Sequence, residues 1–351
     1  MSRADIVIIG SGSLATRVIN SFAQLREEPL RVAVMGRSQS KIAKMVLIAN
    51  ARSALLGGRV RFVPCEVARF RASAFARAFA SLKPRVVFHV ASLQSPWEAA
   101  QGQTAWTKLI ASAGFGITLP LQIPLIAEVS RGAEDIDAAI VNASYPDAVN
   151  VVLDRLGLRT TCGIGNCAIV EAFCRSRAQG EDQDVRVIGH HGHLGPWIRG
   201  EKRRCQPRVW VNERQIRALD WRPKLGVVSE ELNDVTTLTA VIPMMALLTG
   251  QTLQLSLPGV TGLPGGYPFS IRHGKFRLRL PAGVALEQLD GVELGTGVKF
   301  AAKARRALSS VEFEYAEGFD FVEWAEARDR MLALRERLRR GVGNSATVLV
   351  E

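Results

Sequence analysis

The chain has no Cys-x-x-Cys pair and no uninterrupted apolar run of the roughly 18 residues that a membrane span needs. Its five cysteines, Cys65, Cys162, Cys167, Cys174 and Cys205, are odd in number. That argues against a disulfide framework and against a zinc site, and they read as reduced thiols with no metal to hold. The N-terminus enters an apolar strand directly, without a signal-peptide pattern, so a cytoplasmic protein with no membrane partner is expected. Acid is in short supply: 33 Asp and Glu stand against 45 Lys and Arg, a formal charge of +12, with Arg far more frequent than Lys. Such an excess suits nucleic acid or an anionic cofactor and substrate. Two clusters stand out, Lys202-Arg203-Arg204 and the run from Arg335 to Arg340. The C-terminal cluster lacks interleaved aromatics for base stacking, so both read as solvated faces and no nucleic-acid partner is expected. Internal repeats are also missing, and 351 residues suggest about two domains.

What is present begins with Ile6-Val7-Ile8-Ile9-Gly10-Ser11-Gly12-Ser13-Leu14-Ala15, an apolar run that breaks into Gly-x-Gly-x-x-Ala. It reads as a buried strand, a tight turn and the first turn of a helix, the pattern of a dinucleotide cradle. Gly10 permits the turn, Gly12 lets a pyrophosphate approach the backbone, and Ala15 lets the helix pack closely on its strand. Ser13 and Leu14 then offer free N–H groups at the positive end of the helix dipole.

A second short strand, Leu30–Met35, ends at Gly36-Arg37-Ser38. An acid placed here in a nicotinamide-binding fold accepts hydrogen bonds from the adenosine ribose, whereas Arg with a small hydroxyl suits a 2′-phosphate. The acid is missing. Arg37 and Ser38, with Lys41 nearby, therefore predict NADP(H) in preference to NAD(H).

The order then repeats, with helices over 40–56 and 73–81 and strands over 60–64, 85–90 and 137–141, followed by a helix over 147–156. Alternating strands and helices give a parallel sheet covered on both faces, with ligands beyond the carboxyl ends of the strands. That gathers Gly10, Arg37, Ala91, Ser92 and Asn142 around one crevice. The second half changes character: a helix over 168–177, a strand over 185–189, the cluster His190-His191-Gly192-His193, a long helix over 229–248, a Gly- and Pro-rich stretch over 258–268, a strand over 275–280 and a charged helix over 321–340. The fold class is α/β, a doubly wound parallel sheet of Rossmann type in residues 1–157, followed by an α+β substrate domain in residues 158–351.

The histidine cluster has no companion set for a metal and no His-x-x-x-His pair. One of the three, facing the crevice, suits general acid/base work near neutral pH, with Glu171 on the preceding helix as the carboxylate that orients it.

Taken in order, these elements are similar to the lactate/malate dehydrogenase superfamily. The likeness is carried by the turn Gly10 to Ala15, the strand ends Val90-Ala91-Ser92 and Ile140-Val141-Asn142, the helix with Glu171 and Arg175, and Ile188-Gly189-His190-His191-Gly192. It runs from Ser2 to about Trp197, beyond which only order and length agree. The resemblance implies that His191 is the catalytic histidine, that Asn142 contacts nicotinamide and substrate, that Arg175 anchors a substrate carboxylate, and that the protein is a homo-oligomer.

Two departures qualify this. The family's aspartate partner of the histidine is replaced only by Glu171, in a different local spacing. The family's substrate-loop arginines are missing, since no Arg lies between Arg85 and Arg131. The expected activity is thus an NADP(H)-dependent oxidoreductase moving a hydride to or from a carbonyl or imine carbon of a small molecule other than a simple 2-oxo acid. Gln94 or Ser95 would stand in for the missing polarising group. An opine-type dehydrogenase acting on an amino acid/oxo acid imine, and a non-catalytic cofactor-binding sensor or partner subunit, are the alternatives.

Overall fold

The computed structural model describes residues 3–101, 104–178, 183–202, 206–225, 230–285 and 297–340. Cys205, Arg203, Arg204 and the expected start of the long helix at Ser229 lie outside the described residues. Contacts divide the chain into two units, one of residues 1–91 and 125–292, the other of residues 92–124 and 293–351. The boundary expected near residue 157 falls inside the first.

The first unit opens with β1 (Ile6–Ile9), α1 (Ser13–Phe22), β2 (Arg31–Gly36), α2 (Gln39–Leu55), β3 (Arg61–Glu66), α3 (Ala72–Leu82) and β4 (Val86–His89). Between residues 92 and 132 the chain forms α4 (Pro96–Gln101), α5 (Ala105–Ala113) and α6 (Leu119–Gly132). It then continues through β5 (Ala139–Asn142), α7 (Pro146–Arg155) and β6 (Cys162–Gly163). The six strands form one sheet in the order β3-β2-β1-β4-β5-β6, every pair parallel. That is the doubly wound order with its reversal at β1, and sheets of this order bind ligands there, beyond the carboxyl ends of the strands. The expectation of a Rossmann-type sheet is met.

Each element has a local cause. All four residues of β1 are buried, as a strand covered on both faces requires. In α1 the buried residues Ala15, Val18, Ile19 and Phe22 recur at helical spacing and form one stripe. Ser38 caps α2, its hydroxyl accepting the Lys41 N–H.

Next come α8 (Cys167–Arg175), β7 (Val185–Ile188), α9 (His191–Arg199), β8 (Arg208–Val211), β9 (Arg214–Ile216), α10 (Leu232–Thr249), β10 (Leu253–Pro258), β11 (Gly266–Arg272) and β12 (Lys275–Leu278). Strands β7-β8-β9 and β10-β11-β12 form two antiparallel sheets. A bridge between Gly189 and Gly266 links them. One core gathers Ile6, Val18, Phe22, Val34 and Phe88 with Met244, Leu257 and Phe269, and another packs Val170, Cys174 and Trp197 on Val185, Val187 and Val209. The helix α10 is long and apolar enough to cross a membrane, but 56% of it is buried inside the protein.

The second unit contains α5 with β13 (Gly297–Lys299), α11 (Ala302–Ser309), β14 (Gly318–Asp320) and α12 (Trp324–Arg339). Trp106 is fully buried and its indole N–H donates to Gln94 Oε1 at 2.9 Å. Arg335 on α12 donates to the Leu93 carbonyl at 2.7 Å, and Arg339 pairs with Glu98.

Candidate active site and cofactor cradle

Gly10 leaves β1 with φ +141°, and a Cβ there would meet the Val90 carbonyl oxygen at 2.7 Å, so only glycine fits. At Gly12, by contrast, a Cβ would meet nothing within 4 Å: the space over the turn is open. Gly12 is the N-cap of α1, no side chain caps it, and the first turn carries no acid. The N–H groups of Ser13 and Leu14 therefore head a helix start that no side chain caps, the kind of end that attracts an anion. A neighbour adds detail that sequence reasoning missed. The Ser13 hydroxyl donates to the Glu230 carboxylate, and Arg17 pairs with Asp234 at the start of α10. At the end of β2, Arg37 is exposed with its guanidinium 5.7 Å over the Phe70 ring. Ser38 spends its hydroxyl on the cap of α2. These residues fit a dinucleotide: a tight glycine, an open one, an uncapped helix start and a cation at the second strand end.

The expected crevice residues divide. Asn142 is completely buried, and its amide is committed inward: it donates to Asn150 Oδ1 at 2.8 Å and to the Ser144 carbonyl at 3.2 Å, while its oxygen accepts the Ser144 N–H at 2.9 Å. His89, next to it, makes a 3.2 Å contact to the same oxygen. Burial pushes the His89 imidazole down to about 4, against its hydrogen bond to Asn142. Asn142 therefore holds the turn after β5 together. Ala91 ends the first segment of the first unit, whereas Ser92 belongs to the second and donates to the Gln94 carbonyl at 2.7 Å. Gln94, expected to polarise substrate, is buried with its amide shared among Trp106, Ser95 and Glu98. The Ser95 hydroxyl accepts the Trp97 N–H at 3.3 Å.

Glu171 is committed to neighbours on its own helix and on β10. It lies one turn into α8 and is 1% exposed. Its carboxylate accepts Arg175 Nε at 2.8 Å and the Ser256 N–H at 2.5 Å. Arg175 in turn donates to the Gln254 carbonyl at 2.9 Å. The pair clamps α8 onto β10, so Glu171 does not orient His191 and Arg175 is already neutralised. Burial raises the Glu171 carboxyl, and Arg175 opposes that rise.

The three histidines stand at a helix start rather than along a strand. His190 is the N-cap of α9, and its Nδ1 accepts the Gly192 N–H at 3.1 Å. His193 Nδ1 accepts the His190 N–H at 3.3 Å, and the two rings lie 3.7 Å apart. These two complete a capping box.

His191, the first residue of α9, is linked differently. Its Nδ1 lies 3.1 Å from Asn166 Oδ1, Asn166 Nδ2 donates to Asp147 Oδ2 at 2.7 Å, and the His191 backbone N–H donates to that same oxygen at 2.5 Å. The Tyr145 ring stands edge-on to the imidazole, centroids 5.0 Å apart. Burial, then the neighbouring His190, holds His191 down at about 4. Burial pushes Asp147 up to about 6, against the hydrogen bonds from Asn166 and His191. Asp147 Oδ1 is buried without a hydrogen-bond partner.

Asp147 begins α7 after β5, and Asn166 precedes α8 after β6, so both sit beyond the carboxyl ends of the sheet, the same edge as the Gly10 turn. Sequence reasoning missed this pair. The signal available was an Asp directly after Pro146 at a helix start, and an Asn between Gly165 and the next helix.

Among solved structures the chain is similar to malate dehydrogenase from Plasmodium falciparum, with 11% identity and a TM-score of 0.51 over 94% of this chain and 100% of that one. It is similar as well to lactate dehydrogenase from Eimeria maxima, solved with NADH and oxamate, with 13% identity and a TM-score of 0.50 over 98% of each chain. No protein-family model and no curated protein matches it. The likeness is therefore one of architecture, and on it the chain has the α/β fold of the lactate and malate dehydrogenases, with a six-stranded Rossmann sheet and an Asn–Asp pair beside His191.

Proposed function

We propose that the protein is an NADP(H)-dependent oxidoreductase, with residues 1–157 holding the cofactor and residues 158–351 supplying His191 as general acid/base. One observation carries the reading most directly. His191 is tied, by ring and by backbone, to residues just beyond β5 and β6, on the sheet edge where the Gly10–Gly12 turn leaves an uncapped helix start. A nicotinamide cofactor, when bound, carries the hydride. The chain's own residues do the rest: Gly12, Ser13 and Leu14 receive the pyrophosphate, Arg37 pairs with a 2′-phosphate, and His191 takes or gives the proton at the reacting carbon.

The malate and lactate dehydrogenases of similar fold act on small 2-hydroxy acids. In this chain Arg175 is spent on Glu171 and the Gln254 carbonyl, which supports a substrate that needs no guanidinium fork at that position. A carbonyl or imine carbon of a larger, less anionic molecule fits, and turnover with an oxo acid alone against an oxo acid plus amine separates the two. A cytoplasmic homo-oligomer completes the proposal, its assembly supported by exposed Leu47 and Leu55 on α2 and Leu238 on α10.

Calorimetric titration with NADPH and NADH tests the cofactor, with Arg37→Asp alongside. The expectation is tighter NADPH binding in the native chain, with a fall of about 10- to 100-fold in that preference for the variant. Equal binding of the two cofactors by the native protein removes the 2′-phosphate argument. His191→Ala, assayed with a substrate found by screening, is expected to lose most turnover while still binding cofactor.

A further inference from the structure

We infer that Asp147, acting through the side-chain amide of Asn166, is a positioning residue that fixes the proton of the His191 ring on Nδ1 and so leaves Nε2 as the proton-accepting nitrogen. The inference deepens the proposed function, because it concerns the same histidine, but its geometry holds whatever reaction the site performs.

An ionised carboxylate only accepts, so the end of the Asn166 amide that faces Asp147 Oδ2 at 2.7 Å has to be the NH2 group. The other end, at 3.1 Å from His191 Nδ1, is then the carbonyl oxygen, which also only accepts. An acceptor facing Nδ1 requires the hydrogen there, and a neutral imidazole carries a single N–H, so Nε2 bears the lone pair. Amide orientation and tautomer are usually assigned together from a network. Here one carboxylate decides both.

Protonation of Asp147 does not undo this. Its Oδ2 already accepts two donors, Asn166 and the His191 N–H, whereas Oδ1 is buried without a partner and is where a proton would go. The same Oδ2 thus holds the main chain of His191 and, through the amide, its ring. Two further features set the pair apart from ordinary loop bonding. Asn166 sits at φ 48°, ψ −105°, a region sparsely populated for any residue with a side chain. Asp147 meanwhile keeps a carboxylate buried, only 6% exposed, with one oxygen unpaired. An amide between acid and imidazole transmits orientation without setting a negative charge against the ring. It is consistent with His191 being held neutral, at about 4, by burial.

The test reads the tautomer directly. Nitrogen-15 NMR of the full chain labelled at histidine, at pH 8 without cofactor, reports which His191 nitrogen carries hydrogen. The His191→Ala variant assigns the signal. The expected native result is the Nδ1–H form in excess by about tenfold, the worth of one hydrogen bond. Asp147→Asn, which keeps an oxygen at the Oδ2 position, retains that form. Asp147→Leu removes the acceptor, and Asn166→Gly, which suits the positive φ, removes the amide. Each is expected to raise the Nε2–H share by about tenfold. An Nε2–H ring in the native protein overturns the inference, and so does a tautomer indifferent to both Asp147→Leu and Asn166→Gly. If the native ring is Nδ1–H but no dinucleotide binds, the oxidoreductase reading fails and this inference stands.

Discussion

Replacing Asp147 by Asn is expected to make the protein less sensitive to pH, by an amount that follows from burial. The Asp147 carboxyl is pushed from its ordinary 3.8 up to about 6, chiefly by burial. A raised acid binds its proton more tightly in the folded chain than in the unfolded one. The stability it contributes is complete below the unfolded value and is lost as pH rises through the folded value. A shift of roughly 2 units at ~1.4 kcal/mol each means that native stability falls by about 3 kcal/mol between pH 4 and pH 7 from this group alone. Asparagine has no proton to lose, so Asp147→Asn is spared the fall. The assay is thermal or urea unfolding of both proteins from pH 4 to pH 8, read as variant minus native. That difference is expected to rise by about 3 kcal/mol, or roughly 5–10 °C in Tm, and to level off above pH 6 to 7. Any fixed penalty from the unpaired NH2 group shifts the whole difference curve without changing its slope. A difference that is flat with pH refutes the claim that Asp147 is held buried and ionised at neutral pH.

Other outcomes follow from the same geometry. Glu230→Gln removes the carboxylate that receives the Ser13 hydroxyl at the start of α1. One less anion at a pyrophosphate site is expected to tighten dinucleotide binding about fivefold in titration at low salt, the gain shrinking as salt rises. With His191 neutral above about 4, turnover in the direction that needs a base should climb with pH through that value and stay high, while the reverse direction declines. His190→Asn, which keeps the cap of α9 but removes the neighbouring imidazole, should move both profiles to higher pH. Glu171→Ala leaves the buried Ser256 N–H without its acceptor and breaks the Arg175 clamp, with an expected loss of roughly 2–4 kcal/mol in urea unfolding. Turnover per folded molecule should be unchanged, and a collapse of kcat instead would return Glu171 to the catalytic site.

The parts legible in the sequence were those written locally. The Gly10 turn, the apolar strands and the helix with Ala15, Val18, Ile19 and Phe22 on one face are short-range patterns, and they specify the parallel sheet with little help from distant residues. Arg37 was readable for the same reason, since the end of β2 follows from the strand itself. What stayed hidden were pairings across the chain. Asp147, Asn166 and His191 are separated by 19 and 25 residues and meet only because β5, β6 and α9 bring three loop ends together. Glu171 drew attention as the nearest acid on a suitable helix, but α8 turns it toward β10 and Ser256. Gln94 looked available in an apolar loop until Trp106, 12 residues on, claimed its oxygen. Of the antiparallel β10-β11-β12 sheet, β12 was readable as the strand over 275–280, whereas the end of β10 and the start of β11 lay in the Gly- and Pro-rich stretch that reads as loop, because Pro258 and Pro268 occupy strand positions there.

The tie between Arg335 and the Leu93 carbonyl, with Arg339 on Glu98, has a consequence for the order in which the protein is made. The second unit is assembled from residues 92–124 and 293–351, so its first stretch leaves the ribosome long before its second exists. Until then the nascent chain carries α5 with Trp106 and Ile110 lacking the α11 and α12 neighbours that complete its surroundings. The Rossmann strands, by contrast, are all present once β6 at residue 163 has emerged. Folding is thus expected to be vectorial for one unit and post-translational for the other, so that a ribosome stalled before α12 displays a formed sheet beside an exposed apolar helix, the kind of surface that chaperones recognise.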